Sequence, residues 1–493
     1  MTTVTLSLVS HTNAGKTTLA RTLLGTDVGV VRDAPHVTQF ADGHDLVTTP
    51  EGDRLRLWDT PGFGDSARLA RRMRQSGQPL GWFLTEVWDR WRDRSFWASQ
   101  QALRHVQAES DVVLYLVNAA ESPQAAGYVA PEMDLLAWVG KPVLVLLNQL
   151  GAPRAALEEA AEAEAWAAHL ARWPLVRRVL PLDAFARCWV HEATLLRAVQ
   201  AVLQGERAAA MSRLTAAWAA RRQETFDASM QVLAVSLART AAAREVVAEA
   251  AGLGDRLRQI GSAVARRLDA DAAADPATEA QQRLTAALDA EVRDSTSRLI
   301  ELHGLEGRAQ GEILSRVAGQ FARHERVPEG RAAILGGAVT GALAGLKADI
   351  VSGGLTLGGG MLAGGLIGAL GAVGLARGIN VVRGTGRSWV AWNDAAMAPL
   401  VEVALLRYLA VAHFGRGRGE WVQGETPPHW AQTVADVLAP HRATLAALWA
   451  GRTGSLENVG EAERLAAALR PLLATATRAA LARLYPEPQD PPP

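Results

Sequence analysis

The sequence lacks an excess of either charge and a set of cysteines, and its first residues have no pattern that predicts a secretory leader. Lysine plus arginine number 51, as do aspartate plus glutamate, so no overall field attracts nucleic acid and we expect no nucleic-acid partner. Cys188 is the only cysteine, which excludes an intrachain disulfide, fits the cytosol and predicts a small buried residue. No basic start precedes an apolar run, so no signal peptide is expected. We expect a cytoplasmic protein and leave peripheral contact at the inner membrane open.

The sequence also has no zinc-ligand spacing and no signature of a nucleophile triad. The remaining candidates for a functional site are motifs that bind a ligand largely through backbone groups. The first 200 residues alternate strand and helix signals, a pattern that predicts an α/β domain with a mostly parallel sheet and helices on both faces. A helix is predicted over Thr17–Leu24. The predicted strands are Thr3–Val9, Arg54–Trp58, Asp111–Val117, Pro142–Leu147 and Val179–Leu182.

The character of the sequence changes near Gly205, where strand signals vanish and strong helix formers dominate. A mainly α-helical C-terminal region is therefore predicted, with Ser388–His413 and His429–Trp449 as amphipathic helices. The predicted organisation is an α/β domain (1–204), a helical domain (205–330), a glycine-rich hairpin (331–385), further helices (386–485) and a disordered tail (486–493).

A phosphate-binding loop is predicted between the first strand and the first helix. Ser10–Thr17 reads S-H-T-N-A-G-K-T, although Ser10 replaces the usual first glycine. Backbone N–H groups of such a loop face phosphates, and Gly15 permits their close approach. Lys16 is expected to reach the β- and γ-phosphates, and Thr17 to place a hydroxyl on Mg²⁺. The predicted nucleotide-binding residues of this loop are Asn13, Ala14, Gly15, Lys16, Thr17 and Thr18.

A second motif follows at the end of the next strong strand, where Leu57–Gly64 reads L-W-D-T-P-G-F-G. Asp59 is placed to bind Mg²⁺ through water, and the N–H group of Gly62 to sense the γ-phosphate. Between the two motifs, Thr38 lies in a polar stretch where a threonine can close over Mg²⁺ and the γ-phosphate as a switch. We therefore assign catalytic roles to Lys16, Thr38 and Gly62.

These residues resemble the translation-factor-related GTPases, particularly Era-like and septin-like members, through N-A-G-K-T-T-L at Asn13–Leu19 and D-T-P-G at Asp59–Gly62. More narrowly, the chain is similar to a bacterial group of such GTPases that carries a long C-terminal domain of unknown function. The stretches W-D-R-W-R-D-R at Trp88–Arg94 and V-L-L-N-Q-L-G at Val145–Gly151 carry this second likeness. The resemblance implies binding of GTP with Mg²⁺ and says little of biological role.

The base-reading motif departs from the family's Asn-Lys-x-Asp. Asn148 is present and is expected to touch the purine and brace the loop, but Gly151 stands where the family has aspartate. Losing a charged bidentate acceptor costs on the order of 2–4 kcal/mol of guanine preference. Asp183, after the last predicted strand, is a candidate replacement. GTP is implied by the resemblance, and a purine-tolerant site that also takes ATP remains open.

The position after Gly62 is Phe63, where many GTPases have a water-orienting glutamine. Slow or partner-dependent hydrolysis is therefore predicted. Arg32 in the first switch, and Arg68, Arg71, Arg72 and Arg74 after the second, are candidate arginine fingers, although a solvated basic helix face is the favoured interpretation of the second group.

The insertion over residues 66–110 is rich in tryptophan, with Trp82, Trp88, Trp91 and Trp97. Aromatic side chains beside a switch are suited to docking a protein partner, because they bury large areas at low entropic cost. Packing of these side chains onto the helical domain of the same chain is the alternative, and the oligomeric state is left open.

A glycine-zipper hairpin is predicted over residues 331–385, because glycines recur every fourth residue at Gly337–Gly345 and again at Gly360–Gly368. Ile350–Ala376 carries no charge and is long enough to span a bilayer. A buried hairpin, a hairpin that inserts on a nucleotide signal, and a permanent anchor remain open, so 332–378 is a candidate membrane contact.

The function favoured by these observations is a cytoplasmic GTPase switch that hydrolyses GTP slowly and acts through an all-α effector domain. Two alternatives stay open: a dynamin-like, membrane-associated mechanoprotein that works through the hairpin, and a non-hydrolysing nucleotide sensor or scaffold.

Overall fold

The computed structural model describes twelve segments of the chain. They are residues 1–12, 14–24, 42–74, 94–150, 156–182, 189–247, 276–304, 379–383, 388–413, 428–453, 456 and 458–486. Two compact units are present: the first comprises 1–225 with 412–429 and 481–493, and the second comprises 226–411 with 430–480.

The first unit is built on a sheet whose strands alternate with helices. Its strands are β1 (Thr3–Ser10), β2 (Asp42–Thr48), β3 (Arg54–Asp59), β4 (Val112–Asn118), β5 (Val143–Asn148) and β6 (Val176–Pro181). Its helices are α1 (Lys16–Leu24), α2 (Ser66–Met73), α3 (Arg94–Glu109), α4 (Val129–Val139), α5 (Ala156–Leu170), α6 (Trp189–Val202) and the first part, to residue 225, of α7 (Gly205–Ala242).

The six strands lie in the order β2-β3-β1-β4-β5-β6. All neighbouring pairs are parallel except β2 and β3, which are antiparallel. The parallel strands β3, β1, β4 and β5 are neighbours, so their carboxyl ends lie at the same edge of the sheet. At this edge Leu8 of β1 pairs with Asp59 of β3, and Asn118 of β4 pairs with Asn148 of β5. Ligands of open α/β sheets bind at this edge, so the fold places both sequence motifs where a ligand is expected.

Alternate residues of the central strands enter two different cores. Leu114 and Leu116 of β4 pack on the side of α1, α6 and α7, whereas Val113, Tyr115 and Val117 pack on the side of α2 to α5. Both faces are thus covered by helices, which explains why these strands read as continuous apolar runs.

The start of α7 contacts the edge of the sheet opposite the motifs. Arg213 Nε lies 2.7 Å from Asp53 Oδ2, just before β3, and Arg207 Nε lies 2.9 Å from Asp111 Oδ1, just before β4. The hydroxyl of Thr2 donates to Glu206 Oε1 at 2.8 Å. Three contacts therefore attach this helix to the amino-terminal ends of β1, β3 and β4.

The second unit is mainly helical and includes a small sheet. Its helices are the remainder of α7 from residue 226, α8 (Pro276–Leu302), α9 (Asp394–Ala412) to residue 411, α10 (Pro428–Leu438) from residue 430, α11 (Arg442–Ala450) and α12 (Glu461–Leu484) to residue 480. A three-stranded antiparallel sheet has the order β7-β9-β8, with β7 at Arg244–Val246, β8 at Ile379–Arg383 and β9 at Ser388–Trp392.

A buried arginine marks the interior of the second unit. Arg407 of α9 donates from Nη1 to three oxygens of α8, namely Val292 O at 3.0 Å, Ser295 Oγ at 2.9 Å and Thr296 Oγ1 at 3.0 Å. Burial lowers the pKa of the Arg407 guanidinium to about 10, which leaves it charged at neutral pH. By length and composition α9 could cross a membrane, and it is the one helix in the described segments that could. Its extensive burial and this polar contact are typical of a core helix.

The predicted fold class is confirmed, and three details of the prediction are wrong. Ser388–Trp392 is a strand and not the start of a helix. Two further strands lie where none was expected: β7 in the predicted helical domain and β8 within the predicted glycine-zipper hairpin. The helix predicted over His429–Trp449 is broken by a 3₁₀ turn at Ala439–His441, because Pro440 cannot donate the helical hydrogen bond.

Several predicted features lie outside the described residues. They are residues 331–378 and 384–385 of the predicted glycine-zipper hairpin, most of the tail, Cys188, Trp82, Trp88 and Trp91. The domain boundaries, the zipper and the membrane contact stay predictions.

Candidate nucleotide-binding site

The first sequence motif forms a tight loop between β1 and α1. Gly15 has φ +86°, and a Cβ at this position would lie only 2.6 Å from Asn148 Nδ2. The Asn148 amide, fully buried at the end of β5, donates to Ala14 O at 2.9 Å. Glycine is required here for the left-handed conformation and for the close approach of Asn148. The predicted bracing of the loop by Asn148 thus has a direct geometric basis, and its contact with the base stays a prediction.

Lys16 opens α1 and turns back across the loop. Its Nζ donates to Ser10 Oγ at 2.9 Å and lies 3.5 Å from His11 O. Only 7% of the residue is exposed, and burial lowers the pKa of Lys16, although Asp59 and Glu132 oppose this shift. Ser10, the departure from the usual glycine, therefore supplies an acceptor for the loop lysine.

Asp59 at the end of β3 faces Thr17, the second residue of α1. Thr17 Oγ1 donates to Asp59 Oδ2 at 2.5 Å. Asp59 is 5% exposed, and burial raises its pKa while Lys16 and Thr17 act in the opposite direction. Its other oxygen, Oδ1, is buried and has no hydrogen-bond partner among the described residues.

This pair of oxygen donors fits a magnesium ion. Mg²⁺ prefers carboxylate and hydroxyl oxygens and retains several waters, so one carboxylate and one hydroxyl from the protein are sufficient beside phosphate oxygens. The unpartnered Asp59 Oδ1 is an acceptor that a hydrated cation would satisfy. Within the described segments, no group of three or more His, Cys, Asp or Glu side chains forms a separate metal centre.

The second motif lies directly against the loop. Phe63 N donates to Ser10 O at 2.9 Å, and Thr12 N donates to Phe63 O at 3.3 Å. Thr60 Oγ1 donates to Leu8 O at 2.6 Å, which attaches the motif to β1. A Cβ at Gly62 would lie 3.0 Å from Lys16 Nζ, so the backbone of Gly62 is adjacent to the predicted phosphate position.

Phe63 is fully buried in the core on the side of α2 to α5. The Phe63 side chain therefore packs into the core and does not orient a water molecule as a glutamine would. The arginines of α2 and Arg74, which follows it, are exposed. Arg74 pairs with Asp134, and Cζ of Arg68 lies 4.8 Å from the centroid of the Phe96 ring. These contacts agree with a solvated basic helix face, and the role of these arginines as arginine fingers stays a prediction.

A buried carboxylate beside the loop is missing from the sequence prediction. Glu132 in the first turn of α4 is fully buried; His11 Nδ1 lies 2.8 Å from its Oε1, and Tyr115 OH donates to its Oε2 at 2.6 Å. The His11 ring also stacks on Tyr128, with 4.7 Å between centroids. Burial raises the pKa of Glu132, and the bond from His11 opposes this. The sequence does not distinguish Glu132, because a second carboxylate, Asp134, lies on the same helix and the partners of Glu132 are distant in sequence.

The structure thus brings Ala14, Gly15, Lys16, Thr17, Asp59, Gly62 and Asn148 to one place. Thr18 lies buried in the first turn of α1. Asn13, Thr38, Gly151 and Asp183 lie outside the described residues, and so does Arg32. The functional roles of all these residues stay predictions.

Two family models match the chain. The model described as 50S ribosome-binding GTPase matches residues 5–149, which contain both motifs and Asn148. The model described as a domain of unknown function, DUF3482, matches residues 168–468, more than half of the chain. No curated protein matches the sequence at a significant level.

The chain is also similar to solved GTPase structures, over a limited part of their length. Era in complex with MgGDPNP and nucleotides 1506–1542 of 16S ribosomal RNA is 18% identical, with 42% of this chain and 59% of that chain covered and a TM-score of 0.32. A single-residue variant of Aquifex aeolicus Era bound to GDP and AlF4⁻ is 19% identical over the same shares, with a TM-score of 0.29. Bacterial selenocysteine-specific elongation factor EF-Sec is 13% identical over 37% of this chain and 26% of that chain, with a TM-score of 0.24. The chain spans less than two thirds of each.

Proposed function

Because this chain belongs to the family defined by the domain of unknown function DUF3482 and carries a P-loop GTPase domain ahead of it, we propose that it is a GTP-dependent molecular switch. In this proposal the N-terminal domain binds GTP with Mg²⁺, hydrolyses it slowly, and acts through the helical C-terminal region. The observation that carries the proposal is the arrangement of Lys16, Thr17 and Asp59 around the carboxyl ends of β1 and β3.

The charges of this arrangement suit a phosphate ligand. A buried ammonium and the backbone N–H groups at the start of α1 attract an anion. The unpartnered oxygen of Asp59 and the hydroxyl of Thr17 suit the cation that accompanies it. Bound Mg²⁺ would supply neutralisation of the phosphate charge. Gly62 and Thr38 then sense the γ-phosphate, while Asn148, with Asp183 as a further candidate, contacts the base.

Slow hydrolysis is supported by the position of Phe63. The side chain after Gly62 is fully buried and offers no hydrogen-bonding group to a water molecule. Hydrolysis then depends on preorganised charge at Lys16 and the metal, or on a residue that a partner supplies.

Transmission to the helical region is supported by α7. Its first turns are attached to the sheet through Arg207 and Arg213, and the same helix continues beyond residue 225 into the second unit.

The test is a binding titration of the full chain with GTP, GDP, ATP and xanthosine triphosphate, each with Mg²⁺. We expect guanine nucleotides to bind at least tenfold more tightly than ATP, a difference of about 1.4 kcal/mol. Lys16→Ala should abolish binding, whereas the matched control Lys141→Ala, before β5, should bind like the wild type. Equal binding of ATP would refute the guanine preference, and no Lys16-dependent binding would refute the proposal.

Phosphate release measured on the same proteins separates a GTPase from a sensor. Slow release that is lost in Lys16→Ala supports a GTPase. Intact binding without any Lys16-dependent release would identify a non-hydrolysing sensor, for which Phe63 is the supporting observation.

A further inference from the structure

An imidazole lies beside Phe63, the residue that stands where many GTPases have a water-orienting glutamine. His11 of the nucleotide loop and Phe63 form a parallel backbone bridge. The Phe63 side chain is buried in the core on the side of α2 to α5, and the His11 side chain turns to the same side, where it contacts α4. The residue paired with Phe63 therefore carries the polar side chain that Phe63 lacks.

The His11 ring is held in one orientation by two contacts. Its Nδ1 lies 2.8 Å from Oε1 of the fully buried Glu132, and its face stacks on Tyr128 with 4.7 Å between ring centroids. A carboxylate bonded to one ring nitrogen fixes both the position of an imidazole and the nitrogen that carries its hydrogen. The direction of the ring is therefore set before a nucleotide binds.

The contacts of Glu132 assign the ring hydrogen to Nδ1. Tyr115 OH donates to Glu132 Oε2 at 2.6 Å. Burial and the adjacent Glu132 raise the pKa of Tyr115 well above its ordinary value, so the phenol keeps its hydrogen. The other carboxylate oxygen, Oε1, then accepts from His11 Nδ1, and Nε2 of the neutral ring keeps its lone pair. Since 35% of the His11 side chain is exposed, this acceptor is open to water.

His11 also lies beside the predicted position of the γ-phosphate. Lys16 Nζ, which is expected to bind that phosphate, lies 3.5 Å from His11 O. A Cβ at Gly62 would lie 3.0 Å from Lys16 Nζ and 3.1 Å from Cα of Thr12, the residue after His11. The imidazole is therefore attached at the point where the loop, the loop lysine and the second motif meet.

We propose that His11, positioned by Glu132, is a catalytic residue of GTP hydrolysis and supplies the water-orienting group that Phe63 does not. This inference rests on the proposed function. Nε2 accepts a hydrogen bond from the attacking water and takes its proton as the water oxygen bonds to the γ-phosphorus. The bond from the γ-phosphorus to the oxygen shared with the β-phosphate breaks, GDP leaves with that electron pair, and the proton on His11 passes to solvent.

The experiment measures single-turnover hydrolysis of GTP, together with the affinities for a non-hydrolysable GTP analogue and for GDP, all with Mg²⁺ in the full chain. His11→Asn places an amide nitrogen close to the position of Nδ1, so it retains the bond to Glu132 and removes Nε2. His11→Ala removes the whole ring and leaves space for added imidazole. His169→Asn is the matched control, because this residue lies in the last turn of α5, ahead of β6 and thus at the opposite edge of the sheet.

We expect His11→Asn to slow hydrolysis at least about tenfold, because a positioned general base contributes roughly 100-fold or more. Its affinities for both nucleotides should change less than about threefold, since the bond to Glu132 remains. Added imidazole should accelerate hydrolysis by His11→Ala and leave the wild type unchanged, which a merely structural role of His11 would not produce. His169→Asn should hydrolyse GTP like the wild type.

Hydrolysis by His11→Asn at the wild-type rate would overturn the inference and leave the proposed function standing. Loss of GDP binding in both His11 variants would overturn it equally, because His11 would then serve to hold the loop. If His11→Asn alone fails to bind GDP, the absence of imidazole rescue in His11→Ala overturns it. A wild type that binds GTP without hydrolysing it would identify the sensor and remove the reaction in which His11 acts, whereas one that binds no guanine nucleotide refutes the proposed function itself.

Discussion

The substitution Gly15→Ala measures how closely the nucleotide loop is fitted to Asn148. An alanine at φ +86° costs about 1–3 kcal/mol in backbone strain. The new Cβ would also lie 2.6 Å from Asn148 Nδ2, so the amide must move away from Ala14 O. Loss of that buried hydrogen bond costs about 1–3 kcal/mol. We therefore expect the free energy of unfolding to fall by about 2–6 kcal/mol, which is the sum of the two contributions.

Urea unfolding of the nucleotide-free protein measures this loss, and a GTP titration measures the accompanying loss of affinity. The matched control is Gly127→Ala, because Gly127 has open space around its Cα and an ordinary φ. It should change stability by less than about 0.5 kcal/mol. Combining Gly15→Ala with Asn148→Ala should cost less than the sum of the single effects, because the smaller side chain removes the clash. Stability of Gly15→Ala equal to that of Gly127→Ala would refute the reasoning.

Three further predictions concern the buried groups. Asp59→Asn should raise the free energy of unfolding of the nucleotide-free protein at pH 7, while abolishing Mg²⁺-dependent nucleotide binding. Burial raises the pKa of Asp59 on folding, so its charge destabilises the folded protein at any pH above that raised pKa. The stability gained by Asp59→Asn, measured by urea unfolding, should therefore vanish as the pH falls towards 3.8, the ordinary pKa of an aspartate. A gain that does not depend on pH would contradict this. Phe63→Gln should not accelerate phosphate release and should lower stability by about 2–4 kcal/mol, because the side chain points into the core; faster release would contradict the assigned position. Arg407→Met should destabilise the protein by about 1–3 kcal/mol in urea unfolding, since three oxygens of α8 lose their donor; an unchanged midpoint would show that they find other partners.

The strands and motifs of the first unit could be predicted because their signals are local. Asp111–Val117 and Pro142–Leu147 are apolar runs of strand length, and the observed β4 and β5 agree with them within one residue at each end. By contrast, β2 is polar, with the sequence D-G-H-D-L-V-T, and it lies at the edge of the sheet with one antiparallel neighbour. An edge strand with little buried surface has no apolar pattern to reveal it.

The small sheet of the second unit could not be predicted for a related reason. The strand β7 has three residues and pairs with β9, far along the chain, so that Val246 lies opposite Trp389. Such short segments carry too few residues for a period to appear, and their strand conformation depends on the distant partner. The helix α9 begins two residues after β9, so helical and strand signals merge over Ser388–His413.

The sequence by itself determined the two nucleotide motifs, because S-H-T-N-A-G-K-T and D-T-P-G carry the glycine, lysine, hydroxyl and carboxylate that phosphate and Mg²⁺ require. It also determined the alternation of strands and helices that makes the sheet parallel. Only the tertiary structure decided that Ser10 accepts from Lys16, that Phe63 is buried, and that Glu132 joins the loop to β4 through His11 and Tyr115. These contacts connect residues on different elements, and burial together with hydrogen bonding between distant positions arises only when the sheet assembles.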